Sequence, residues 1–201
     1  MKPTAARAAL RPARFAALLA LVLTATACGG ESASPTPAEA TGETIRNCDV
    51  DVAAENPPER VFAAYQPGIE MAHSLGISDR LVGTAFLDAE VLEPYVESQA
   101  DQEYHPNLPS REELLDHAPD FVLSGFNDVF TDESFGTRDS LRELGIESWI
   151  LSPLCPSEDG RSDESIDPTT VTMDNVYSDL RDLGSLFGEQ ERAEEVIADM
   201  E

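Results

Sequence analysis

One stretch constrains this chain more than any other: Pro57 to Phe86, PPERVFAAYQPGIEMAHSLGISDRLVGTAF. Arg60 to Tyr65 is a short apolar run opened by a proline pair, the pattern of a buried strand. Gln66-Pro67-Gly68 punctuates it, with Pro67 where a first helical turn needs no N–H. Ile69, Ala72 and Leu75 recur at helical spacing, and Gly76 supplies the residue that ends the helix. Leu81 to Ala85 reads as a second strand. A unit this compact predicts a parallel sheet with a right-handed crossover. Ligands of open parallel sheets sit beyond the carboxyl ends of the strands. Tyr65-Gln66 and Phe86-Leu87-Asp88 therefore mark the expected binding edge.

The same alternation continues. Asp88 to Gln99 is moderately helical and interrupted by Pro94, and Ala100 to Leu108 is a polar loop. Ser110-Arg111-Glu112-Glu113 is a capping box with Ser110 as N-cap and Glu113 three residues on. Its helix buries Leu114 and Leu115 and stops before Pro119. Asp120 to Ser124 is the third strand, followed by the loop Gly125-Phe126-Asn127-Asp128. Arg138 to Leu144 is helical, closed by Gly145, and Glu147 to Leu151 is the fourth strand. The fold class is α/β, a Rossmann-like lobe with a four- to five-stranded parallel sheet.

After a polar, acidic loop from Ser157 to Pro168, a long helix is expected. Met173, Val176, Tyr177, Leu180, Leu183 and Phe187 share one face, and Ala193, Val196, Ile197 and Met200 resume the pattern beyond Gly188, a break or a bend. The chain stops there without cap or turn chemistry, which reads as a truncated helix.

The amino terminus carries a different signal. Lys2, Arg7, Arg11 and Arg14 precede the apolar run Phe15 to Leu23, and small residues lead to Cys28. This is an export signal, and the run is too short to span a bilayer. Ala25-Thr26-Ala27-Cys28 looks like a lipobox, with Ala25 where leucine is preferred. The expectation is acylation at Cys28; a secreted protein cut after Ala27 is the alternative. Gly29 to Thr44, rich in Gly, Ser, Pro, Thr and Ala, reads as a flexible tether. The domain reading is thus signal peptide 1–27, tether 28–44, α/β lobe 45–168 and connecting helix 169–201.

Removing residues 1–27 takes away four of the thirteen basic residues and none of the thirty-nine acidic ones, so the formal charge moves from −26 to −30. Such a surface repels nucleic acid and anionic lipid heads. With Cys28 acylated, Cys48 and Cys155 remain as an even pair in an oxidising compartment, so a disulfide is expected from the N-terminal arm, just before the first strand, to the end of the fourth.

Enzymatic motifs are missing from the sequence: there is no GxSxG, GxGxxG, GxxxxGK[ST] or CxxC. Carboxylates abound, but abundance does not supply the spacing a glycosidase pair needs. The chain therefore reads as a non-enzyme without a cofactor. His73, His105 and His117 lack any metal-ligand spacing; His73 and His117 lie on helices and His105 in a loop, so no metal site is expected.

Several short pieces, in this order and spacing over residues 45–200, resemble the substrate-binding lipoproteins of ABC importers for iron-siderophores and cobalamin. They are Pro58-Glu59-Arg60-Val61, Glu70…Leu75-Gly76, Asp79-Arg80-Leu81-Val82-Gly83, Ser110-x-Glu112…Pro119-Asp120-Phe121-Val122, Leu144-Gly145-Ile146 and Asp182-Leu183-Gly184…Phe187-Gly188. The resemblance implies two Rossmann-like lobes joined by a rigid helix, this chain supplying the first lobe and most of that helix, with the second lobe missing. It implies Tyr65, Gln66, Phe86, Asp88, Phe126 and Asn127 at a ligand cleft. The residues themselves leave a plainer reading open, with Phe86 and Phe126 in the core and Asp88 capping a helix. By spacing to Pro119-Asp120, the resemblance makes Glu112 the glutamate that pairs with permease arginines. The expected role is the extracytoplasmic, membrane-anchored solute-binding component of an importer for a ferric siderophore, with a permease and its ATPase as partners. Cobalamin, haem or a deazaflavin precursor are alternative cargoes, and a non-transport surface lipoprotein is the alternative class. An acidic rim of Asp88, Asp128, Asp132 and Glu133 favours hydroxamate over strongly anionic catecholate chelates.

Overall fold

Short apolar strands and amphipathic helices alternate through the chain. A computed structural model describes residues 44–53, 55–156 and 171–201. The elements are β1 (Thr44–Asn47), β2 (Val50–Ala53), β3 (Val61–Ala64), α1 (Tyr65–Ser74), β4 (Leu81–Ala85), α2 (Val96–Ala100), β5 (Tyr104–His105), α3 (Arg111–Asp116), β6 (Phe121–Ser124), α4 (Arg138–Arg142), β7 (Glu147–Ile150), α5 (Met173–Phe187) and α6 (Gln190–Met200). The expected signal peptide, the tether to residue 43 and the acidic loop 157–170 lie outside the described residues.

Five strands form a parallel sheet in the order β5-β4-β3-β6-β7. The chain builds outward from β3 through β4 to β5, then returns to the other side of β3 for β6 and β7. The strand order therefore reverses between β3 and β6, the point where open α/β sheets hold ligands. All four residues of β3 are buried, as expected of a strand covered on both faces.

Side chains alternate across the sheet. Val61, Phe121, Leu123 and Trp149 pack on one face with Met71 and Leu75 of α1, Leu180 and Leu183 of α5 and Val196 and Ile197 of α6. Phe62, Ala64, Val122 and Ile150 pack on the other with Leu114 of α3 and Leu141 of α4. The period-two pattern thus serves two separate cores. Close approach at the switch point needs glycine: a Cβ on Gly68 would lie 3.2 Å from the Leu123 carbonyl oxygen, and one on Gly125 would lie 3.3 Å from the Tyr65 Cβ.

The structure departs from the sequence reading at several points. Residues 44–53 form an antiparallel hairpin, β1 with β2, so Cys48 sits in its turn and not simply ahead of the first strand. Tyr104 and His105, read as loop, pair with Thr84 and Ala85 as a fifth edge strand. The connecting segment, read as one long helix with a break or a bend at Gly188, is broken there into two helices. Gly188 takes left-handed backbone (φ 74°) and ends α5, and α6 folds back so that Ala193, Val196 and Ile197 enter the same core. The physical cause is a pair of glycines: Gly188 tolerates the turn, and Gly184 lets the helices cross so closely that a Cβ there would stand 2.8 Å from that of Ala193. Arg181 closes the pair through Glu194, 2.7 Å away.

The hairpin is fastened to β7 by buried polar groups. The Asn47 amide donates to the Ile150 carbonyl at 2.8 Å and accepts from its N–H at 3.0 Å. Arg138 donates to the Asn47 carbonyl and to both the hydroxyl and the carbonyl of Ser148. Burial lowers the Arg138 guanidinium to about 10. Cys48 and Cys155 are joined in a disulfide across the same junction.

Candidate functional site

Two aromatic residues mark the strand ends. Tyr65 follows β3 and Phe86 follows β4, and both hold left-handed backbone, φ 64° and 62°. Non-glycine residues avoid that region, and those held there cluster at functional sites. Phe126 follows β6. Its N–H donates to the Ser124 hydroxyl, which donates in turn to the Phe126 carbonyl, fixing the loop. The Tyr65 ring meets Phe86 edge-on at 5.3 Å and Phe126 edge-on at 4.9 Å. Its hydroxyl donates to Asp128 Oδ2.

These residues line a pocket of about 270 Å³ together with Asp88 and Asp128. Its lining is three aromatic rings and two exposed carboxylates. Of the six residues expected at the cleft, Tyr65, Phe86, Asp88 and Phe126 are brought together here. Gln66 and Asn127 do not line it. The Gln66 amide donates to Glu70 at 2.9 Å and accepts from the Ala89 N–H at 3.0 Å, so it holds the loop after β4. The Asn127 carbonyl accepts from the Phe130 N–H within a turn. Asp128, read only as rim, is a lining residue joined to Tyr65; its place beside Phe126 in the third ligand-side loop was the available signal.

Glu112 lies exposed in the first turn of α3. The capping box is formed by its neighbours: the Ser110 hydroxyl accepts from the Glu113 N–H, and the Glu113 carboxylate accepts from the Ser110 N–H. Those hydrogen bonds hold the Glu113 carboxyl below its ordinary value.

The histidines do not stay apart as their spacing suggests. His105 and His117 meet with Nε2 atoms 3.0 Å apart, beside Glu103. His73 is structural: it is buried, its Nδ1 contacts Ser78 and Ser98, and its Nε2 contacts Gln99. On the opposite side of the sheet from α3, Asp179 of α5 is 1% exposed and accepts from the Trp149 indole N–H and from the hydroxyl and N–H of Ser152. Burial nevertheless pushes its carboxyl up to about 6. Among the described residues no helix is long and apolar enough to cross a membrane.

No family model and no curated protein matches the sequence. Solved structures do resemble it. A periplasmic binding protein from Veillonella parvula is 26% identical with a TM-score of 0.63, over 75% of this chain and 45% of that one. An ABC-type Fe3+-hydroxamate transport system protein from Saccharomonospora viridis is 25% identical with a TM-score of 0.60, over 79% and 53%. A possible iron-binding periplasmic solute-binding protein from Staphylococcus epidermidis, 16% identical with a TM-score of 0.50 over 72% and 48%, shares the fold. The chain thus spans about half the length of the binding proteins it matches. The described residues have the α/β fold of one lobe of the periplasmic binding proteins of ABC transport systems, the iron-siderophore type that the sequence resembles.

Proposed function

We propose that this protein is the extracytoplasmic solute-binding component of an ABC importer and captures a ferric chelate of low negative charge, a ferric hydroxamate above all. The carrying observation is the strand-end pocket, where three aromatic rings and two carboxylates meet beside the point of strand reversal. Aromatic faces and edges suit a bulky, partly apolar chelate, and a few polar groups suffice to orient it. Its mechanism is binding without catalysis: the ligand is held at the strand ends, and the loaded protein docks on a permease.

Charge selects among chelates. Three singly charged hydroxamates neutralise ferric iron, whereas three doubly charged catecholates leave a trianion. Each like-charge pair at about 4 Å costs about 1 kcal/mol in water and more where water is partly excluded. A trianion facing Asp88 and Asp128 is therefore disfavoured by several such contacts. The Fe3+-hydroxamate assignment of the Saccharomonospora viridis protein agrees with this choice.

Glu112 is the docking residue in this reading, exposed and not engaged in the capping box. Cys28 is the lipid-bearing residue that holds the protein at the outer face of the membrane.

Titration with a ferric tris-hydroxamate, a ferric tris-catecholate and haem, followed by quenching of Trp149, tests the cargo. The expected order places hydroxamate first, with Tyr65→Ala and Phe126→Ala weakening binding. Preference for the catecholate or haem overturns the cargo; failure of every chelate to bind overturns the transport reading. Glu112→Ala is expected to impair uptake while leaving chelate affinity unchanged, and the reverse result removes its docking role.

A further inference from the structure

The β5 edge carries a second cluster that shares no residue with the strand-end pocket. Glu103 and His105 are two residues apart on extended backbone, so the pleat turns both side chains to one side. Pairing with β4 pins them: the Thr84 N–H donates to the Glu103 carbonyl at 2.8 Å, and the Phe86 N–H to the His105 carbonyl at 3.0 Å. His117 arrives from the end of α3, its N–H bonded to the Leu114 carbonyl. His105 Nε2 and His117 Nε2 stand 3.0 Å apart. The Glu103 carboxylate reaches within 3.9 Å of His105 Nε2 and, through its other oxygen, of His117 Nδ1. One ligand atom from each of the three residues lies within 4.8 Å of the others.

The surroundings hold the rings and leave the front open. Buried Phe62 packs against both imidazoles, 6.1 Å from His105 and 5.4 Å from His117. Gly83 makes room, since a Cβ there would stand 2.7 Å from the Phe62 ring and 3.4 Å from His117 Cε1. The side chains of His117 and His105 are 12% and 27% exposed, and that of Glu103 is 67% exposed.

We infer that Glu103, His105 and His117 form a binding site for a divalent cation of the zinc class. Zinc binds imidazole nitrogen at about 2.0–2.1 Å in tetrahedral sites, which sets two such nitrogens about 3.3 Å apart. The observed 3.0 Å is within a few tenths of an ångström of that. Two imidazoles and a carboxylate suit zinc and, more weakly, cobalt or nickel. Three protein ligands leave a fourth position for water or for a group from outside, and the strongly acidic chain attracts cations. A single ring-to-ring hydrogen bond gives the same separation without a role for Glu103, and the experiment separates the two.

Protein stripped with a chelator is titrated with zinc chloride by calorimetry and with cobalt(II) by visible absorption. The expected result is one ion per chain, with cobalt showing the intense bands of a four-coordinate site. His105→Gln and Glu103→Gln, both at the exposed edge, are each expected to weaken zinc by more than about tenfold, a loss that even outer-shell changes produce. His117→Gln is expected to do the same, and Glu191→Gln, an exposed carboxylate of α6 on the other face of the sheet, to leave zinc affinity unchanged. Circular dichroism melts of the stripped variants check folding, and the edge variants carry the test if His117→Gln unfolds. Absence of stoichiometric zinc, or zinc affinity indifferent to His105→Gln and Glu103→Gln, overturns the site and leaves a hydrogen-bonded histidine pair. Chelate binding at Tyr65 is a separate measurement, so either reading can fail alone.

Discussion

Tyr65 and Phe86 cap adjacent parallel strands with their rings edge to face at 5.3 Å, and both do so from left-handed backbone. The conformation is costly for a side chain with a Cβ, about 1–2 kcal/mol per residue. It turns two aromatic rings back over the strand ends, where an ordinary extended exit would carry them past the pocket.

That strain inverts a familiar ranking at position 86. Phe86→Gly and Phe86→Ala both lose the ring contact, but only glycine relaxes the backbone. Urea denaturation is expected to find the glycine variant more stable than the alanine variant by about 1 kcal/mol. Equal stabilities, or alanine ahead, would mean that the left-handed conformation is not held in solution.

Asp179 makes stability depend on pH. Its folded value of about 6 stands above the ordinary 3.8 because burial penalises the carboxylate more than its three donors repay. The folded state therefore binds the proton more tightly than the unfolded chain. The stability this group contributes is fully present below the ordinary carboxyl value and is lost as pH rises through about 6, a change of about 2–3 kcal/mol. Because Trp149 donates to this carboxylate, its fluorescence is expected to titrate with a midpoint near 6. Asp179→Asn should abolish that midpoint and flatten the corresponding part of the stability profile; a profile unchanged by the substitution rules the assignment out.

The Cys48–Cys155 bridge joins residues 107 apart in sequence. Removing it with Cys48→Ser and Cys155→Ser is expected to cost about 2–4 kcal/mol, through freedom gained by the unfolded chain. The buried contacts of Asn47 and Arg138 keep the hairpin seated on β7 in the reduced protein. Free-thiol titration of the native protein should find neither of these cysteines reactive, and chemical denaturation with and without reductant measures the loss.

Gly184→Ala sets two effects against each other. Alanine is the better helix former by about 1 kcal/mol. Its methyl group, however, would stand 2.8 Å from the Ala193 Cβ across the α5–α6 crossing. Overpacking of this kind costs about 1–3 kcal/mol, so net destabilisation is expected. Combining it with Ala193→Gly should recover part of the loss; a more stable single variant would show that the helices can part at no cost.

Much of this architecture was legible without coordinates because its causes are local. The βαβ stretch from Pro57 to Phe86 announces itself through residue period and punctuation, and the Ser110–Glu113 capping box spans one turn. What tertiary structure alone decided depends on distant partners. β5 is two residues long, too short for any period to show, and exists only because Thr84 and Ala85 pair with it. Gly188 marked a break or a bend, but that α6 folds back onto α5 follows from the fit of Gly184 against Ala193, which no local pattern shows. His105 and His117 are twelve residues apart on different elements, and no spacing rule connects them. By itself the sequence determined the strands and helix of the βαβ stretch and the capped start of α3, since those rest on each segment's own side chains and caps. Which residues face one another at the strand ends and along the β5 edge was decided by parallel pairing, a long-range interaction that no local pattern encodes.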